Sequence, residues 1–293
     1  MTVLEGIQRS TEFLAKKEVE SPRLQAELQL AHVLKLPRMR LYLDFERTLG
    51  AAEVDAFREL VRRRGAREPL QYITGSTSFC GLEIAVNSQV LIPRPDTELL
   101  AERGWQFLQE VSALNPEPFA LDFGTGSGCV AIALAVNCPA ARVGALDSSA
   151  EALELAQANA ARHGVSERVE FINGARPAPI AGRKFHLIIS NPPYIPTNEI
   201  ESLQPEVRDY EPRQALDGGE DGLGFFRRLA EEGGPFLEPA GRLMVEFGDG
   251  QAEAVREIFE SGKWIVEAIQ ADYTQRPRIA ILKRLDQTTD KHR

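Results

Sequence analysis

Short apolar runs alternate with helical segments over the C-terminal two thirds of the chain, and this alternation constrains the fold more than any other feature. The runs predict strands at the positions 119–123, 142–146, 169–172, 185–190, 243–247, 264–269 and 279–282. Strands that alternate with helices are typical of a mostly parallel, doubly wound sheet with helices on both faces. The pattern therefore predicts an α/β, Rossmann-like sheet of seven strands.

Helical spacing dominates the first 70 residues. Leu4, Ile7 and Leu14 recur on one face, and Ser21 followed by Pro22 predicts the N-cap and the first residue of a second helix. A third helix ends in a cluster of cations, Arg62, Arg63, Arg64 and Arg67. We interpret the cluster as a solvated helix C-terminus, where cations suit the helix dipole; a basic patch that faces a partner is the alternative.

The sequence divides into four segments in this interpretation. Residues 1–70 form a small all-helical domain, and residues 71–92 form a β-hairpin linker, because glycines interrupt an apolar, strand-like pattern there. Residues 93–285 form the α/β domain, and residues 286–293 form a frayed tail.

Composition disfavours several classes of protein. The net charge of −9 argues against a nucleic-acid substrate, since neutralising phosphates requires a basic surface, and it favours proteins and small molecules instead. No apolar run approaches the ~20 residues that span a bilayer, and the N-terminus lacks the apolar centre of a signal peptide. Three cysteines without CxxC spacing and four scattered histidines indicate a reducing cytoplasm and no bound metal.

A glycine-rich turn follows the first strand of the predicted sheet, in the sequence LDFGTGSG. Gly124, Gly126 and Gly128 allow the backbone to turn tightly and to approach a ligand closely. The GxxxxGK pattern of a phosphate-binding P-loop is absent, and Cys129 stands where the dinucleotide fingerprint GxGxxG has its third glycine. The form that remains, GxGxG, is typical of S-adenosylmethionine-dependent methyltransferases.

Acidic residues flank this turn. Asp147 ends the second strand, where a carboxylate accepts hydrogen bonds from ribose hydroxyls in nucleotide-binding folds. A helix cap is the alternative role for Asp147, but Ser148 with Glu151 three residues later predicts the capping box that opens the next helix. Asp122 lies just before the first glycine, and we expect it to hold the turn through backbone N–H groups or to face the amino end of a cofactor.

The sequence SNPPYIP follows the fourth strand, at the edge of the sheet where open α/β folds place their chemistry. Asn191 offers a side-chain carbonyl, and Pro192 offers a backbone carbonyl without a competing N–H. Pro192 and Pro193 fix the direction of these acceptors in advance, and Tyr194 offers a ring that can lie against a planar group. The stretch predicts a site that orients a planar amide or amine nitrogen for methyl transfer, with no general base.

Four stretches, YITGSTSFCGLEIAVNSQVLIPRPDTELL, FGTGSG, SNPPYIP and YEPRQALDGGEDGL, together cover much of the chain. In combination they resemble the release-factor glutamine methyltransferases, the HemK/PrmC family, and IPRPDTE separates this family from the adenine methyltransferases that share NPPY. The resemblance implies a helical N-terminal domain joined to a seven-stranded class I methyltransferase domain. It also implies methyl transfer from S-adenosylmethionine to N5 of the glutamine in the GGQ motif of class I peptide-chain release factors.

The resemblance implies roles for individual residues. The residues implied to contact S-adenosylmethionine are Gly124, Thr125, Gly126, Ser127, Gly128, Asp147 and Asn191. The residues implied to bind the glutamine are Asn191, Pro192, Pro193 and Tyr194, and of these Asn191, Pro192 and Tyr194 are expected to be catalytic. The helical domain is implied to grip the release factor outside its GGQ loop, and we expect a monomer.

The chain departs from the family near the adenine of the cofactor. An acidic or aromatic residue is common there, whereas this chain has Ala175 and Arg176. We therefore expect backbone groups or stacking of the Arg176 guanidinium to contact the adenine.

Other activities share part of this pattern. An adenine-N6 methyltransferase of DNA or RNA shares the NPPY chemistry, but it predicts a basic groove, which the net charge disfavours. A glutamine methyltransferase of a ribosomal protein is a further alternative. A protein that binds the cofactor without transferring a methyl group is a third, and the intact glycine turn and residues 191–194 argue against it. The missing third glycine disfavours a nicotinamide oxidoreductase.

Overall fold

The computed structural model describes residues 1–175 and 180–285, so the predicted frayed tail lies outside the described residues. The chain forms two units. Among the described residues, no helix is long and apolar enough to cross a bilayer. The same residues contain no group of histidine, cysteine and acidic side chains that is arranged to hold a metal ion.

The secondary structure follows the predicted alternation closely. The α-helices are, in chain order, α1 (Val3–Ala15), α2 (Pro22–Leu34), α3 (Ala51–Gly65), α4 (Leu70–Thr74), α5 (Pro95–Ser112), α6 (Cys129–Asn137), α7 (Ala150–Arg162), α8 (Pro205–Arg208), α9 (Gly224–Glu232) and α10 (Ala252–Ser261). The strands are β1 (Ser76–Phe79), β2 (Leu82–Ala85), β3 (Phe119–Phe123), β4 (Arg142–Asp147), β5 (Val169–Asn173), β6 (Phe185–Ser190), β7 (Leu237–Glu246), β8 (Trp264–Ala271) and β9 (Pro277–Arg284).

The first unit consists of Met1–Ser76 and Leu203–Tyr210, and its helices are α1 to α4 and α8. The predicted apolar stripe of α1 is confirmed, since Ile7 and Leu14 are buried in the core of this unit. Ser21 is the N-cap of α2, as predicted, but it adopts a left-handed φ of +48° and its side chain makes no capping bond. Tertiary packing of α2 therefore replaces the stabilisation that a side-chain cap would supply.

The cationic end of α3 is solvated only in part. Arg62 is exposed and pairs with Glu59 at 2.6 Å, which agrees with the prediction. For Arg64 and Arg67 the prediction is wrong, because both guanidinium groups donate to one carboxylate, that of Glu206, at 2.8 Å and 2.5 Å. Arg64 is only 5% exposed. These two cations therefore hold α8 against the end of α3.

The hairpin of β1 and β2 is shorter than predicted. Tyr72 and Ile73 were expected to belong to it, but they lie in α4. The helical turn begins after Pro69 and ends at Gly75, whose φ of +81° closes the turn in a conformation that suits glycine. The strands begin only beyond that point.

The second unit, Thr77–Ser202 and the chain from Glu211 onward, contains a seven-stranded sheet in the order β5-β4-β3-β6-β7-β9-β8, which confirms the predicted fold class. The pairings from β5 to β7 are parallel, and β9 is antiparallel to both neighbours. The order reverses at β3, which has β4 on one side and β6 on the other. Ligands of open α/β sheets bind beyond the carboxyl ends of the strands at such a point.

The strand β7 begins at Leu237, earlier than the predicted 243. The residues missed at its start include a proline, a glycine and charged side chains, so they show no apolar pattern. The pairing with β6 is irregular there, with a register shift between Phe185 and Leu187.

Helix α5 lies very close to the sheet. A Cβ atom on Gly104 would come within 2.8 Å of the Leu134 side chain on α6 and within 2.9 Å of the Ile189 side chain on β6. Because glycine permits this approach, the first turn of α5, which contains Thr97, reaches the carboxyl end of β6.

Candidate active site

A cavity of about 590 Å³ lies at the carboxyl ends of the central strands. Both sequence motifs contribute to its wall: the glycine turn through Gly124 and Gly126, and the proline-rich stretch through Asn191 and Pro193. Asp147 lines it as well. The structure therefore brings together residues at the carboxyl ends of β3, β4 and β6 that lie up to 69 positions apart in the sequence.

The glycine turn has the backbone conformation that only glycine adopts readily. The φ angles of Gly124, Gly126 and Gly128 are +81°, +53° and +80°. At Gly124 and Gly126 a Cβ atom would meet nothing within 4 Å, so the open side of the turn faces the cavity. Gly128 is different, since its Cβ would lie 2.9 Å from the Cβ of Ala156 on α7. It serves close packing at the start of α6.

Asp122 holds the turn, but it does so through the Thr125 hydroxyl and not through the predicted backbone N–H groups of the turn; the backbone N–H that it accepts belongs to Ala131 in α6. One of its oxygens, Oδ2, accepts from the Thr125 hydroxyl at 2.7 Å and from the Ala131 backbone N–H at 3.1 Å. The side chain is buried, and burial raises the pKa of Asp122 to about 7. Thr125 and Ser127, two predicted cofactor contacts, are themselves buried and are not part of the cavity wall.

Asp147 fixes the glycine turn from the cavity side. Its Oδ2 accepts from the Gly126 N–H at 2.8 Å, and its Oδ1 accepts from the Ser149 N–H at 2.9 Å. The prediction that Ser148 caps α7 is wrong: the N-cap is Ser149, whose hydroxyl accepts from the Ala152 N–H at 3.1 Å. A carboxylate has about four acceptor positions, so Asp147 retains capacity for ribose hydroxyls.

Two aromatic rings and a guanidinium group form the cavity wall next to this turn. The rings of Phe123 and Phe225 lie with centroids 5.0 Å apart, and the Arg228 guanidinium lies 5.0 Å from the Phe225 ring. Arg228 also donates to the backbone carbonyl of Ala175 at 3.2 Å. These side chains offer aromatic and guanidinium faces to a planar ligand such as adenine. Arg176, which was expected in this place, lies outside the described residues.

The residues present fit S-adenosylmethionine. One cavity contains open glycine backbone, an acid at the end of the second strand of the sheet, and a wall of aromatic and guanidinium groups. They match the amino-acid, ribose and adenine parts of such a molecule in turn.

The proline-rich stretch is anchored by a chain of buried side chains. The Asn191 amide donates from Nδ2 to the Thr97 hydroxyl oxygen at 2.9 Å, and the Thr97 hydroxyl donates to Oε2 of Glu246 at 2.7 Å. Thr97 and Glu246 are 3% and 1% exposed. Burial raises the pKa of Glu246 to about 7.

The rest of this stretch is clamped by backbone pairing. The Ile195 N–H donates to the Leu216 carbonyl at 3.0 Å, and the Gly218 N–H donates back to the Ile195 carbonyl at 2.9 Å. Gln251 donates from Nε2 to the Tyr194 carbonyl at 2.9 Å. Pro192 and the Tyr194 ring do not line the cavity: Pro192 is buried, and Tyr194 packs against the main core. Their predicted contacts with substrate remain predictions.

An ion pair joins two further motifs. Arg94, in IPRPDTE, donates to Glu211, in YEPRQALDGG, at 2.6 Å. Glu211 is buried, and burial raises its pKa above the usual range despite the guanidinium. The residues that follow Glu211, including Pro212, Gln214 and Ala215, line the cavity, so this pair fixes one of its walls.

Four contributors to the site were not predicted from the sequence: Thr97, Phe225, Arg228 and Glu246. A signal existed for Glu246, since an acid inside the apolar run LMVEF is unusual at the carboxyl end of a central strand. Phe225 and Arg228 carried none, because helical spacing of Phe and Arg predicts only an amphipathic helix.

The sheet order, the glycine turn with Asp147 and the acceptor stretch after β6 define a class I S-adenosylmethionine-dependent methyltransferase. Two family models agree with that class: the PrmC N-terminal domain matches residues 5–75, and the methyltransferase small domain matches residues 102–204. The protein is an enzyme, and its cofactor is S-adenosylmethionine.

The chain belongs to the release factor glutamine methyltransferase family. A release factor glutamine methyltransferase of Geobacter sulfurreducens is 49% identical over 247 residues, which cover 84% of each chain. The protein of that name from Chlorobaculum tepidum is 44% identical over 94% of this chain and 95% of its own. The one from Moorella thermoacetica is 38% identical over 98% of this chain and 100% of its own.

Solved structures share the fold. The hMettl16 catalytic domain has a TM-score of 0.54 at 14% identity and covers 71% of this chain and 77% of its own. A methyltransferase from Pyrococcus furiosus has a TM-score of 0.50 at 21% identity and covers 71% of this chain and 91% of its own. At these identities the likeness shows the fold alone.

Proposed function

We propose that the protein methylates N5 of the glutamine in the GGQ motif of class I peptide-chain release factors. The observation that carries this proposal is the state of the Asn191 amide. Its NH₂ group is taken by Thr97, and no described residue donates to its carbonyl oxygen. The Pro192 carbonyl beside it likewise accepts from none of the described residues. Two adjacent acceptors match the two N–H bonds of a primary amide such as glutamine.

Orientation is the catalytic task in this proposal. The nitrogen of an amide is a weak nucleophile, because its lone pair is delocalised. Acceptors on both N–H bonds hold the nitrogen in one position and let its lone pair face the cavity, so the barrier falls without acid–base catalysis. When bound, S-adenosylmethionine supplies a sulfonium methyl group, so that an N–C bond forms, the S–C bond breaks to leave a thioether, and one amide proton is released.

The cofactor residues follow from the same geometry. We assign Gly124 and Gly126 to the amino-acid part of the cofactor, Asp147 to the ribose, and Phe225 with Arg228 to the adenine. The turn and Asp147 support the assignment because both reach the cavity and are fixed to each other at 2.8 Å. Thr125, Ser127 and Gly128 are assigned to shaping the turn, since they do not line the cavity.

The substrate and the setting belong to the proposal as well. Relatives that share 38–49% of their residues with this chain carry the name release factor glutamine methyltransferase, which supports a release factor as the substrate. The first unit matches the PrmC N-terminal domain, and we assign it to gripping the release factor outside the GGQ loop. We propose a monomeric enzyme that acts in the cytoplasm, where release factors work.

Methyl transfer from labelled S-adenosylmethionine to a purified class I release factor tests the proposal, with mass spectrometry of the GGQ peptide. We expect one added methyl group on the glutamine and none on a release factor whose GGQ glutamine is replaced by alanine. Label on DNA, RNA or a ribosomal protein with none on the release factor would overturn it. The variant Asn191→Ala is the control for contaminating activity.

A further inference from the structure

Three side chains form a chain of hydrogen bonds that ends at the substrate site, and the carboxyl at its far end also bonds the Tyr194 hydroxyl. Glu246, at the end of β7, accepts from the hydroxyl of Thr97 on α5 at 2.7 Å. The Thr97 oxygen in turn accepts from the Asn191 amide at 2.9 Å. Glu246 and Thr97 are at most 3% exposed, so water has no access to replace either bond.

When Glu246 is ionised, the order of donors and acceptors in this chain has one consistent solution. A carboxylate can only accept, so the single proton of the Thr97 hydroxyl is committed to Glu246. The Thr97 oxygen is then left as an acceptor, and the Asn191 group that faces it must be the NH₂ group. The carbonyl oxygen of Asn191 therefore points the other way, toward the cavity that Asn191 lines.

We infer that Thr97 and Glu246 are positioning residues that fix which end of the Asn191 amide faces the substrate. This inference rests on the proposed function, and it adds to it two residues from distant parts of the chain. Neither residue lines the cavity. They act through Asn191, by excluding the orientation in which its NH₂ group would face the NH₂ group of the glutamine.

The charge on Glu246 is essential to this device. A protonated Glu246 can donate to Thr97, and the Thr97 proton is then free to bond the Asn191 carbonyl. The amide can rotate by half a turn and present a donor to the substrate, where two donors would face each other. The groups that face the carboxyl are Asp96 on α5, Arg278 on β9 and the Tyr194 hydroxyl.

These neighbours have opposite effects on the pKa of Glu246. Asp96 raises the pKa of Glu246, while Arg278 and Tyr194 lower it, and burial is the largest effect. The pKa of Glu246 lies at about 7 as a result, so the active carboxylate form is lost as the pH falls through that value.

Substitutions of Thr97 test the chain directly. We expect Thr97→Val, which keeps the shape, to lower kcat by roughly 30- to 100-fold, since a preorganised catalytic contact is lost. The KM for the release factor and the affinity for S-adenosylmethionine should change by less than about threefold, because the residue touches neither ligand. Thr97→Ser restores the hydroxyl and should return kcat to within about threefold of the unmodified enzyme. Thr77→Val on β1 is the matched control outside the cavity.

The pH profile tests the role of the charge. The unmodified enzyme should show kcat rising with pH through about 7, as Glu246 ionises. Glu246→Gln removes the titrating group, so its kcat should be lower at pH 8 and level between pH 6 and pH 8. Glu267→Gln, which removes a paired acid on β8, should keep the wild-type profile.

The affinity for the release factor supplies a measurement that needs no turnover. With S-adenosylhomocysteine bound, the enzyme should bind a GGQ release factor more tightly than a GGE variant, since acceptors repel a carboxylate. In Thr97→Val the difference in affinity between the two release factors should be smaller, because the Asn191 amide can rotate and present its NH₂ group to the substrate.

The outcomes separate the two proposals. Suppose that the enzyme methylates the release factor. If Thr97→Val then retains full kcat, or if the kcat of Glu246→Gln still falls as the pH is lowered, the positioning role is wrong and the proposed function stands. If the unmodified enzyme leaves the release factor unmethylated, the function itself is wrong. Should Thr97→Val fail to fold, Thr97→Ser and the pH profile of Glu246→Gln still decide.

Discussion

The two loops that meet at the cavity are built by opposite means. The glycine turn after β3 has three positive φ angles. The Thr125 hydroxyl holds it to the buried acid Asp122, and the Gly126 N–H holds it to Asp147. The proline-rich stretch after β6 leaves its Pro192 carbonyl unbonded by any described residue. Its Asn191 side chain is held by Thr97 on another element, and its Tyr194 carbonyl accepts from the Gln251 side chain.

The difference follows from what each loop must present. A cofactor with carboxylate and ribose groups is bound by nearby backbone groups and by an acid. The turn therefore consists largely of glycines, which lack side chains and let the backbone approach the cofactor closely. An amide substrate is oriented by acceptors, so the stretch has prolines, which lack N–H groups, and its Pro192 carbonyl accepts from none of the described residues. A change in either loop should therefore affect one ligand and spare the other.

The largest effect is expected for Asn191→Ala. Loss of the acceptor that orients the amide should lower kcat by roughly 100- to 1000-fold, as loss of a preorganised group does elsewhere. The affinity for S-adenosylmethionine, measured by calorimetric titration, should stay within about threefold, because the glycine turn and Asp147 are unaltered. Asn137→Ala, at the end of α6, is the matched control. An equal loss of cofactor affinity would mean that Asn191 mainly shapes the cofactor site, and the contrast between the loops would fail.

Two glycines of one turn should differ in their cost to stability. Gly128→Ala places a Cβ atom 2.9 Å from that of Ala156 and also forces alanine to a φ of +80°, so we expect a loss of about 3 kcal/mol. Gly124→Ala meets no atom within 4 Å and suffers only the strained φ, a loss of about 1 kcal/mol. Urea unfolding of both variants measures the difference. Equal losses would show that packing against α7 is not what requires Gly128.

The same contrast explains what the sequence could reveal. The strands of the sheet, the glycine turn, Asp147 and Asn191 are marked by short local patterns, and the structure places them as expected around one cavity. Thr97 lies 94 positions before Asn191, and Glu246 lies 55 positions after it, so no local spacing connects them. A glycine turn is determined by its own φ angles, whereas a side-chain anchor depends on which elements pack together.

The end of α3 and the cap of α7 illustrate the same principle on a smaller scale. The helix dipole predicts that Arg64 is solvated, but Arg64 is buried and pairs with Glu206, which lies 142 positions further along the chain. At α7 the competition was local: Asp147 accepts from the Ser149 N–H, and this bond shifts the cap by one residue. Propensity arguments cannot resolve a choice between adjacent serines, because both are equally good caps.

Asp147→Ala should have the opposite effect to Asn191→Ala, because it changes the site assigned to the cofactor. The variant loses the acceptor assigned to the ribose and the bond that fixes Gly126, so we expect the affinity for S-adenosylmethionine to fall by about 30-fold. With saturating cofactor, kcat should fall less than fivefold, the reverse of Asn191→Ala. Asp221→Ala, which also removes a carboxylate bonded to a backbone N–H, is the control outside the cavity. Unchanged affinity would defeat the ribose assignment.

The smallest effect concerns the buried acid beneath the turn. Burial raises the pKa of Asp122 to about 7 in the folded protein, above its usual value of 3.8. The folded state thus binds a proton that the unfolded state has lost, so this contribution to stability is full below pH 3.8 and is lost as the pH rises through 7. Between pH 6 and pH 8 the loss amounts to about 1.4 kcal/mol.

Asp122→Asn isolates that contribution. The asparagine carbonyl can still accept from Thr125 and Ala131, but it does not titrate. Glu246, with a pKa raised to the same value, should continue to lower stability with pH in the variant. We therefore expect the free energy of unfolding, measured in urea at pH 6 and pH 8, to fall by about 1.4 kcal/mol less in Asp122→Asn than in the unmodified protein. Identical pH dependence would mean that Asp122 is already ionised at pH 6, and that its two bonds to the turn outweigh burial.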